Sequence, residues 1–237
     1  MTRRYAIYYA PAPESPLWRL GSALLGRDAA SGETLPTPEI PGLRPDEIAA
    51  ATRGPGRYGF HATLKPPFRL ASGTTEGALL AAFEDFAYFT QAVAPIRLEV
   101  DSLDGFLALR PAAGGEALRG LAGAAVESFD RFRAPADDAE MRRRAGNGLT
   151  QRQAETMRRW GYPYLFADFR FHMTLTERLD EVTRRRLKPA LDAYFAPALA
   201  GLHTLDRIAL FVGPAPGEPF AILDSYPLAA LRLAEAR

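Results

Sequence analysis

The sequence has no cysteine, and among its 237 residues it has only three histidines and two lysines. Without cysteine, disulfides, thiolate nucleophiles and thiolate metal ligands are all excluded. No apolar run approaches the roughly 18 to 20 residues that a membrane span requires, and residues 1–5 lack the continuous apolar stretch of a signal peptide. We therefore expect a cytoplasmic protein without a membrane partner.

The chain also lacks an excess of charge of either sign, because 29 basic residues nearly balance 28 acidic ones. This balance gives no electrostatic argument for binding long nucleic acid, so we expect a small-molecule ligand instead. No glycine-rich phosphate loop or dinucleotide fingerprint is present, which disfavours a nucleoside triphosphatase or a dehydrogenase. Hydrophobic residues make up 47% of the sequence, which is enough for a substantial core.

An internal repeat organises the chain. Two segments, one through His61 and one through His172, each predict a strand, a helix and a pair of strands in the same order, at an offset of 111 residues (172 minus 61). The predicted helices and strands after the histidine strands are Glu76–Gln91, Ile96–Val100 and Phe106–Leu109 in the first copy, and Glu181–Phe195, Arg207–Val212 and Phe220–Leu223 in the second.

This repeat predicts an α+β fold with two pseudo-symmetric lobes. Each lobe would be an antiparallel sheet with helices on the outside, and the two histidine strands would face a central groove. We expect a single domain over residues 1–237, with lobes at about 45–115 and 165–228. The N-terminal strand, residues 3–9, would join one of the sheets.

A helical insertion, about residues 116–160, separates the two copies. Thr150 and Gln153 have the spacing of a capping box, and Gly161 suits a helix end. The insertion would either cover one side of the groove or form a packed connection, and the sequence favours neither.

The two histidine strands alternate between apolar and polar residues, so each has an apolar face and a polar face. The polar face of the first strand is predicted to hold Arg57, His61, Thr63 and Lys65, and that of the second Asp168, Arg170, His172, Thr174 and Thr176. A single His-x-Thr is most simply part of a solvent-facing strand. Two copies of His-x-Thr-Leu at two of only three histidines indicate a functional pair instead. His203 has no such context and is predicted to be a structural or surface histidine near the start of a strand.

His61-Ala-Thr-Leu64 and His172-Met-Thr-Leu175 resemble the paired motifs of the two-histidine (2H) phosphoesterase superfamily. The resemblance covers both repeated halves and implies the bilobal fold of RNA ligase-like cyclic phosphodiesterases. The stretches Tyr58–Phe68, Trp160–Tyr164 and Phe169–Thr176 are further similar to a branch linked to phosphonate (carbon–phosphorus lyase) operons. This implies a phosphoribosyl cyclic phosphate as substrate. The long N-terminal loop and the insertion depart from simpler members.

Opening a cyclic phosphodiester requires a base on one side of phosphorus and an acid on the other, and two imidazoles with a pKa near 6.5 can supply both. His61 and His172 are therefore the predicted catalytic pair, with either one as the base. Thr63 and Thr174 would donate hydrogen bonds to the phosphate oxygens. Further candidates for substrate binding are Lys65, Arg170, Tyr162 and Tyr164.

Three alternatives accompany this interpretation. The substrate could instead be an RNA or nucleoside 2′,3′-cyclic phosphate, and the groove could belong to a non-catalytic module that binds a nucleotide or a phosphosugar. Two histidines with Asp168 could in principle bind zinc, but the close ligand spacing typical of such sites is missing. We therefore expect neither a metal nor another cofactor.

Overall fold

The computed structural model describes residues 3–146, 148–215 and 217–230; the two ends of the predicted domain, residues 1–2 and 231–237, lie outside these ranges. Within the described residues the chain forms seven α-helices and nine β-strands. The helices are α1 (Pro16–Leu24), α2 (Pro45–Gly56), α3 (Glu76–Phe89), α4 (Glu116–Phe129), α5 (Asp138–Ala145), α6 (Gln151–Trp160) and α7 (Glu181–Leu199). The strands are β1 (Arg4–Tyr9), β2 (Ala62–Phe68), β3 (Val93–Ile96), β4 (Leu98–Leu103), β5 (Phe106–Pro111), β6 (Met173–Thr174), β7 (His203–Leu205), β8 (Arg207–Gly213) and β9 (Ala221–Pro227).

Seven of the strands form one antiparallel sheet in the order β4-β5-β6-β2-β1-β8-β9, and β3 pairs with β7 in a small second sheet. This arrangement confirms the α+β class. The two antiparallel sheets expected from the repeat are joined edge to edge where β2 meets β6, through the single residue pair Ala62 and Met173.

The strand pairing crosses the predicted lobe boundaries. The first histidine strand, β2, pairs with β1 and thereby joins β8 and β9 of the second copy, whereas β6 pairs with β5 of the first copy. Each histidine strand is connected to the strands of its own copy by a long helix, so nothing in the local sequence forces it to pair within that copy. Equivalent strands of the two copies also contact each other directly, β2 with β6 and β3 with β7.

Apolar residues on both sides of each histidine anchor its strand in the core. Phe60 is fully buried, with its ring 6.5 Å from that of Phe195 in α7. Phe171 is also buried and lies 6.2 Å from the ring of Tyr9. Met173 is fully buried as well, which confirms the prediction that Phe171 and Met173 belong to the core. The histidine side chains are therefore held by well-packed neighbours and not by a mobile loop.

The predicted insertion contains three helices with two different environments. Helix α4 packs against β2 through an apolar face that includes Leu121 and Ala125. Helix α5 has no buried residue, and it carries a run of basic residues in its last turn. Helix α6 begins with the predicted capping box of Thr150 and Gln153, and it ends at Gly161 in the left-handed conformation. No helix in the described part of the chain is long and apolar enough to cross a membrane.

Candidate active site

The pairing of β2 with β6 brings the four motif residues together. Ala62 and Met173 each follow a motif histidine, and they lie opposite each other in antiparallel strands. In that register His61 lies across from Thr174, and Thr63 lies across from His172. Because side chains alternate between faces, all four point to the same side of the sheet. All four line one cavity of about 490 Å³.

The ring of His61 is fixed by a backbone carbonyl and by an aromatic neighbour. Its Nδ1 lies 2.9 Å from the carbonyl oxygen of Gly59, and its ring stacks on Tyr8 with 3.7 Å between centroids. A carbonyl can only accept, so Nδ1 carries the hydrogen and Nε2 of the neutral ring is left as an acceptor. The hydroxyl of Thr63 lies 3.3 Å from this Nε2.

His172 is held in the same way. Its Nδ1 lies 2.7 Å from the carbonyl oxygen of Arg170, and the ring of Phe106 lies 5.6 Å away. Arg170 and Gly59 each precede a motif histidine by two residues, so the repeat supplies the same carbonyl to both rings. Both histidines therefore donate through Nδ1 and keep Nε2 available for chemistry.

Gly59 is required by this local geometry. Its φ of 77° lies in the left-handed region, and a Cβ added there would be 2.5 Å from the Cβ of Ala29. In this conformation the Gly59 carbonyl lies within hydrogen-bond distance of the imidazole two residues later.

Burial lowers the pKa of both imidazoles because the charged ring is poorly solvated. For His61 burial, reinforced by the charge of His172, lowers the pKa to about 4 despite the hydrogen bond to Gly59. For His172 burial lowers the pKa, and the charges of Arg170 and Arg110 act in the same direction. Both rings are therefore neutral at neutral pH, and the charge of a bound anion would favour protonation of either one.

The charges around the cavity favour an anionic ligand. Its lining includes four arginines and one carboxylate: Arg4, Arg143, Arg144, Arg178 and Glu177. The carboxylate of Glu177 accepts a hydrogen bond of 2.6 Å from the backbone N–H of Gly54. The phenol of Tyr8 also faces this group of residues, where burial raises its pKa far above the ordinary value. The cavity thus combines a net positive lining with two imidazole acceptors.

A second cavity of about 230 Å³ adjoins the first and shares His172, Thr63 and Tyr162 with it. Arg170 lines only this second cavity, where its guanidinium forms an ion pair with Asp104. Tyr164 lies there too, with its ring 5.7 Å from that of Tyr162. The structure therefore places Tyr162 at the histidine pair, and Arg170 and Tyr164 beside it.

Lys65 does not share the polar face of His61, which corrects the prediction from alternation. Ile7 pairs with Lys65 and Tyr8 pairs with Thr63, so Leu64 is an extra residue that shifts the alternation by one. The side chain of Lys65 is 2% exposed, and its Nζ donates to the carbonyl of Val126 at 3.0 Å and to Asp130 at 3.2 Å. Lys65 therefore lines neither cavity and contacts α4 instead.

Sequence reasoning missed the arginines of the main cavity. Arg143 and Arg144 come from α5 in the insertion, and Arg4 comes from β1. Alternation along β1 does place Arg4 on the same face as Tyr8. The alternation does not predict that β1 pairs with β2, and only this pairing brings that face to His61. The insertion was predicted either to form a packed connection or to cover one side of the groove. Helix α4 is a packed connection against β2, whereas α5 lines the cavity.

Asp168, the third ligand considered for zinc, accepts two hydrogen bonds of 2.9 Å from Arg152. Among the residues that the structure describes, no group of three histidine, aspartate or glutamate side chains is placed to hold a metal ion.

Two curated relatives match most of this chain. Proteins named ribose 1,5-bisphosphate phosphokinase PhnN from Laribacter hongkongensis and from a Janthinobacterium species are 41% and 37% identical over 92% and 94% of it. The chain spans 50% of the length of each of these relatives.

Among solved structures, a conserved protein of unknown function from Agrobacterium tumefaciens is 11% identical, with 94% of this chain and 85% of that one covered and a TM-score of 0.43. A structure described as a phosphoesterase is 10% identical, with 96% and 99% covered and a TM-score of 0.41. A family model described as "Protein of unknown function (DUF1045)" matches residues 63–221. The chain therefore belongs to the DUF1045 family.

Proposed function

We propose that this chain is a cyclic phosphodiesterase that opens a phosphoribosyl cyclic phosphate, such as 5-phosphoribosyl 1,2-cyclic phosphate, without a metal ion. The observation that carries the proposal is the placement of two imidazoles and two threonine hydroxyls on one sheet face, at a cavity with a positive lining. In-line displacement at phosphorus needs these parts: a base, an acid and donors to the non-bridging oxygens.

The reaction would proceed as one displacement at phosphorus. One histidine takes a proton from water through Nε2 while the water oxygen bonds to phosphorus. The bond from phosphorus to one sugar oxygen breaks, and that oxygen receives the Nε2 proton of the other histidine. Both rings keep their Nδ1 hydrogens on the carbonyls of Gly59 and Arg170 throughout. Thr63 and Thr174 donate to the non-bridging oxygens while their charge redistributes.

The names of the relatives support a phosphoribosyl substrate. Each is named for phosphorylating ribose 1,5-bisphosphate, and this chain corresponds to half of each protein. Opening a 5-phosphoribosyl 1,2-cyclic phosphate at the O2 bond gives ribose 1,5-bisphosphate, the compound that the named activity consumes. We therefore propose that O2 is the leaving oxygen, and that Tyr162 contacts the sugar from the wall shared by the two cavities.

A substrate panel tests the proposal. Wild-type protein in excess EDTA is incubated with 5-phosphoribosyl 1,2-cyclic phosphate, nucleoside 2′,3′-cyclic phosphates and short RNAs with cyclic ends. We expect turnover of the phosphoribosyl compound. Turnover of only the nucleotides or RNAs would reassign the substrate, and loss of activity in EDTA with recovery on added metal would reject the metal-free mechanism. Binding without turnover of any compound would favour a binding module.

A further inference from the structure

One end of the main cavity is built from guanidinium groups. Arg4 in β1 and Arg143 and Arg144 in α5 line it, together with Pro67 near the end of β2; we call these three arginines the arginine end. In the β1–β2 pair, Thr63 lies opposite Tyr8 and Phe68 lies opposite Tyr5. The arginine end is therefore displaced from the motif residues towards the start of β1 and the end of β2. Arg4 precedes Tyr8 by four positions in β1, which is about 13 Å of backbone.

Arg144 is held in place by the protein. Its guanidinium donates to the carbonyls of Pro67 and Gly161 and forms an ion pair with Glu140 at 2.6 Å. It also lies over the ring of Tyr162 at 5.9 Å. Burial lowers the pKa of this guanidinium because its charge is poorly solvated. A fixed, poorly solvated cation is well suited to a charged ligand because little ordering is needed on binding.

Arg4 packs on an aromatic ring, with no acidic partner among the residues that the structure describes. Its guanidinium lies 5.2 Å from the ring centre of Phe220, and its Nε is buried with no hydrogen-bond acceptor in the described part of the chain. Arg4 and Tyr8 both line the main cavity. A guanidinium in such surroundings is suited to bind an anion.

We propose that the arginine end binds a second phosphoryl group of the substrate, a phosphomonoester carried by the same sugar as the cyclic phosphate. This inference rests on the proposed function and assigns residues to the recognition of the distal phosphate. A phosphomonoester carries up to two negative charges and offers three acceptor oxygens, which matches the guanidinium of Arg4, the N–H groups of Arg144 that the protein does not use, and the more exposed charge of Arg143. The site would thus select bisphosphorylated sugars over nucleoside cyclic phosphates.

The test compares two substrates that differ only in this phosphate. The kcat/KM values for 5-phosphoribosyl 1,2-cyclic phosphate and for ribose 1,2-cyclic phosphate are measured with wild type and with Arg4→Gln. The 5-phosphate should raise kcat/KM of the wild type at least 100-fold, and Arg4→Gln should reduce this preference about 10- to 100-fold. Arg185→Gln, which changes an exposed residue of α7, is the matched control and should keep the full preference.

A binding measurement separates this inference from the proposed function. Calorimetry with ribose 5-phosphate needs no turnover, and His61→Ala should bind this ligand whereas Arg4→Gln should bind it about 10- to 100-fold more weakly. If no cyclic phosphate is opened, but ribose 5-phosphate binds to His61→Ala and binds more weakly to Arg4→Gln, the proposed function is wrong and the phosphate-binding role of the arginine end is supported. If the substrate is opened but the 5-phosphate gives no preference, or Arg4→Gln leaves both preference and ribose 5-phosphate binding unchanged, the inference is overturned.

Discussion

Ala62 and Met173 lie opposite each other as the residue pair that joins β2 to β6, and each follows a motif histidine. The equivalent residues of the two copies thus meet at the local pseudo-twofold axis, which places each histidine across from the threonine of the other copy. One pair of core residues sets the register for the whole site, because a slip by one residue would turn all four motif side chains to the other face.

Removing either histidine should abolish most of the turnover. His61→Ala and His172→Ala should each lower kcat by about 10²- to 10⁴-fold, since each removes a proton-transfer group. Steady-state kinetics on the phosphoribosyl substrate measure this effect. His203→Gln is the matched control, because His203 lines neither cavity, and it should keep wild-type kcat. Wild-type activity in either motif variant would contradict the assignment.

The threonine hydroxyls should matter for rate more than for stability. Thr63→Ala and Thr174→Ala should lower kcat by about 10²-fold, because each removes a donor to a phosphate oxygen. Thr63→Ser and Thr174→Ser keep the hydroxyl and should recover most of the loss. Equal losses in the alanine and serine variants would indicate that the methyl groups matter through packing instead.

Gly59→Ala should damage both stability and activity. The new Cβ would meet Ala29 at 2.5 Å in a left-handed backbone conformation, and relief of this clash would move the carbonyl that holds His61. We expect a loss of about 3 kcal/mol in the free energy of unfolding together with reduced kcat. Gly73→Ala is the control: Gly73 has a φ of 82° but open space around it, so its variant should lose about 1 kcal/mol and no activity. Equal effects of the two changes would contradict the proposed role of Gly59.

The lowered pKa of His61 makes stability depend on pH. The folded chain binds this proton only near pH 4, whereas the unfolded chain binds it near 6.5, so the stabilisation is complete above 6.5 and is lost as pH falls from 6.5 to 4. Denaturant unfolding of wild type and His61→Gln over this range should show wild type lose about 3 kcal/mol of stability relative to the variant towards acid. A difference that stays constant with pH would contradict the burial of a neutral imidazole.

Lys65 should contribute to stability and not to substrate binding. Asp130→Ala removes the carboxylate that neutralises the buried ammonium and should cost about 3 kcal/mol in the free energy of unfolding. Lys65→Met removes the buried charge while Asp130 keeps its ion pair with Arg133, so it should cost only about 1 kcal/mol. KM of Lys65→Met should equal that of wild type. A large rise in KM would indicate that Lys65 binds the substrate after all.

The local pattern of the sequence predicted much of the site and less of its surroundings. Two-residue alternation and the repeat were sufficient to predict that His61, His172 and their threonines share one site, and that Phe171 and Met173 belong to the core. The exchange of histidine strands between copies depends on long-range pairing that periodicity does not reveal. The bulge at Leu64 reversed the face of Lys65, and nothing in the residues around it marks the extra position. Arg4 and Arg144 reach the cavity only through tertiary packing.

The most direct test of the central claim is ³¹P NMR of 5-phosphoribosyl 1,2-cyclic phosphate incubated with the protein in ¹⁸O-labelled water and excess EDTA. We predict that ribose 1,5-bisphosphate forms with one ¹⁸O on the phosphorus at C1, and that neither His61→Ala nor His172→Ala forms it at a comparable rate. An unchanged cyclic phosphate resonance with folded wild-type protein, or a product whose formation is insensitive to both substitutions, would contradict the two-histidine account.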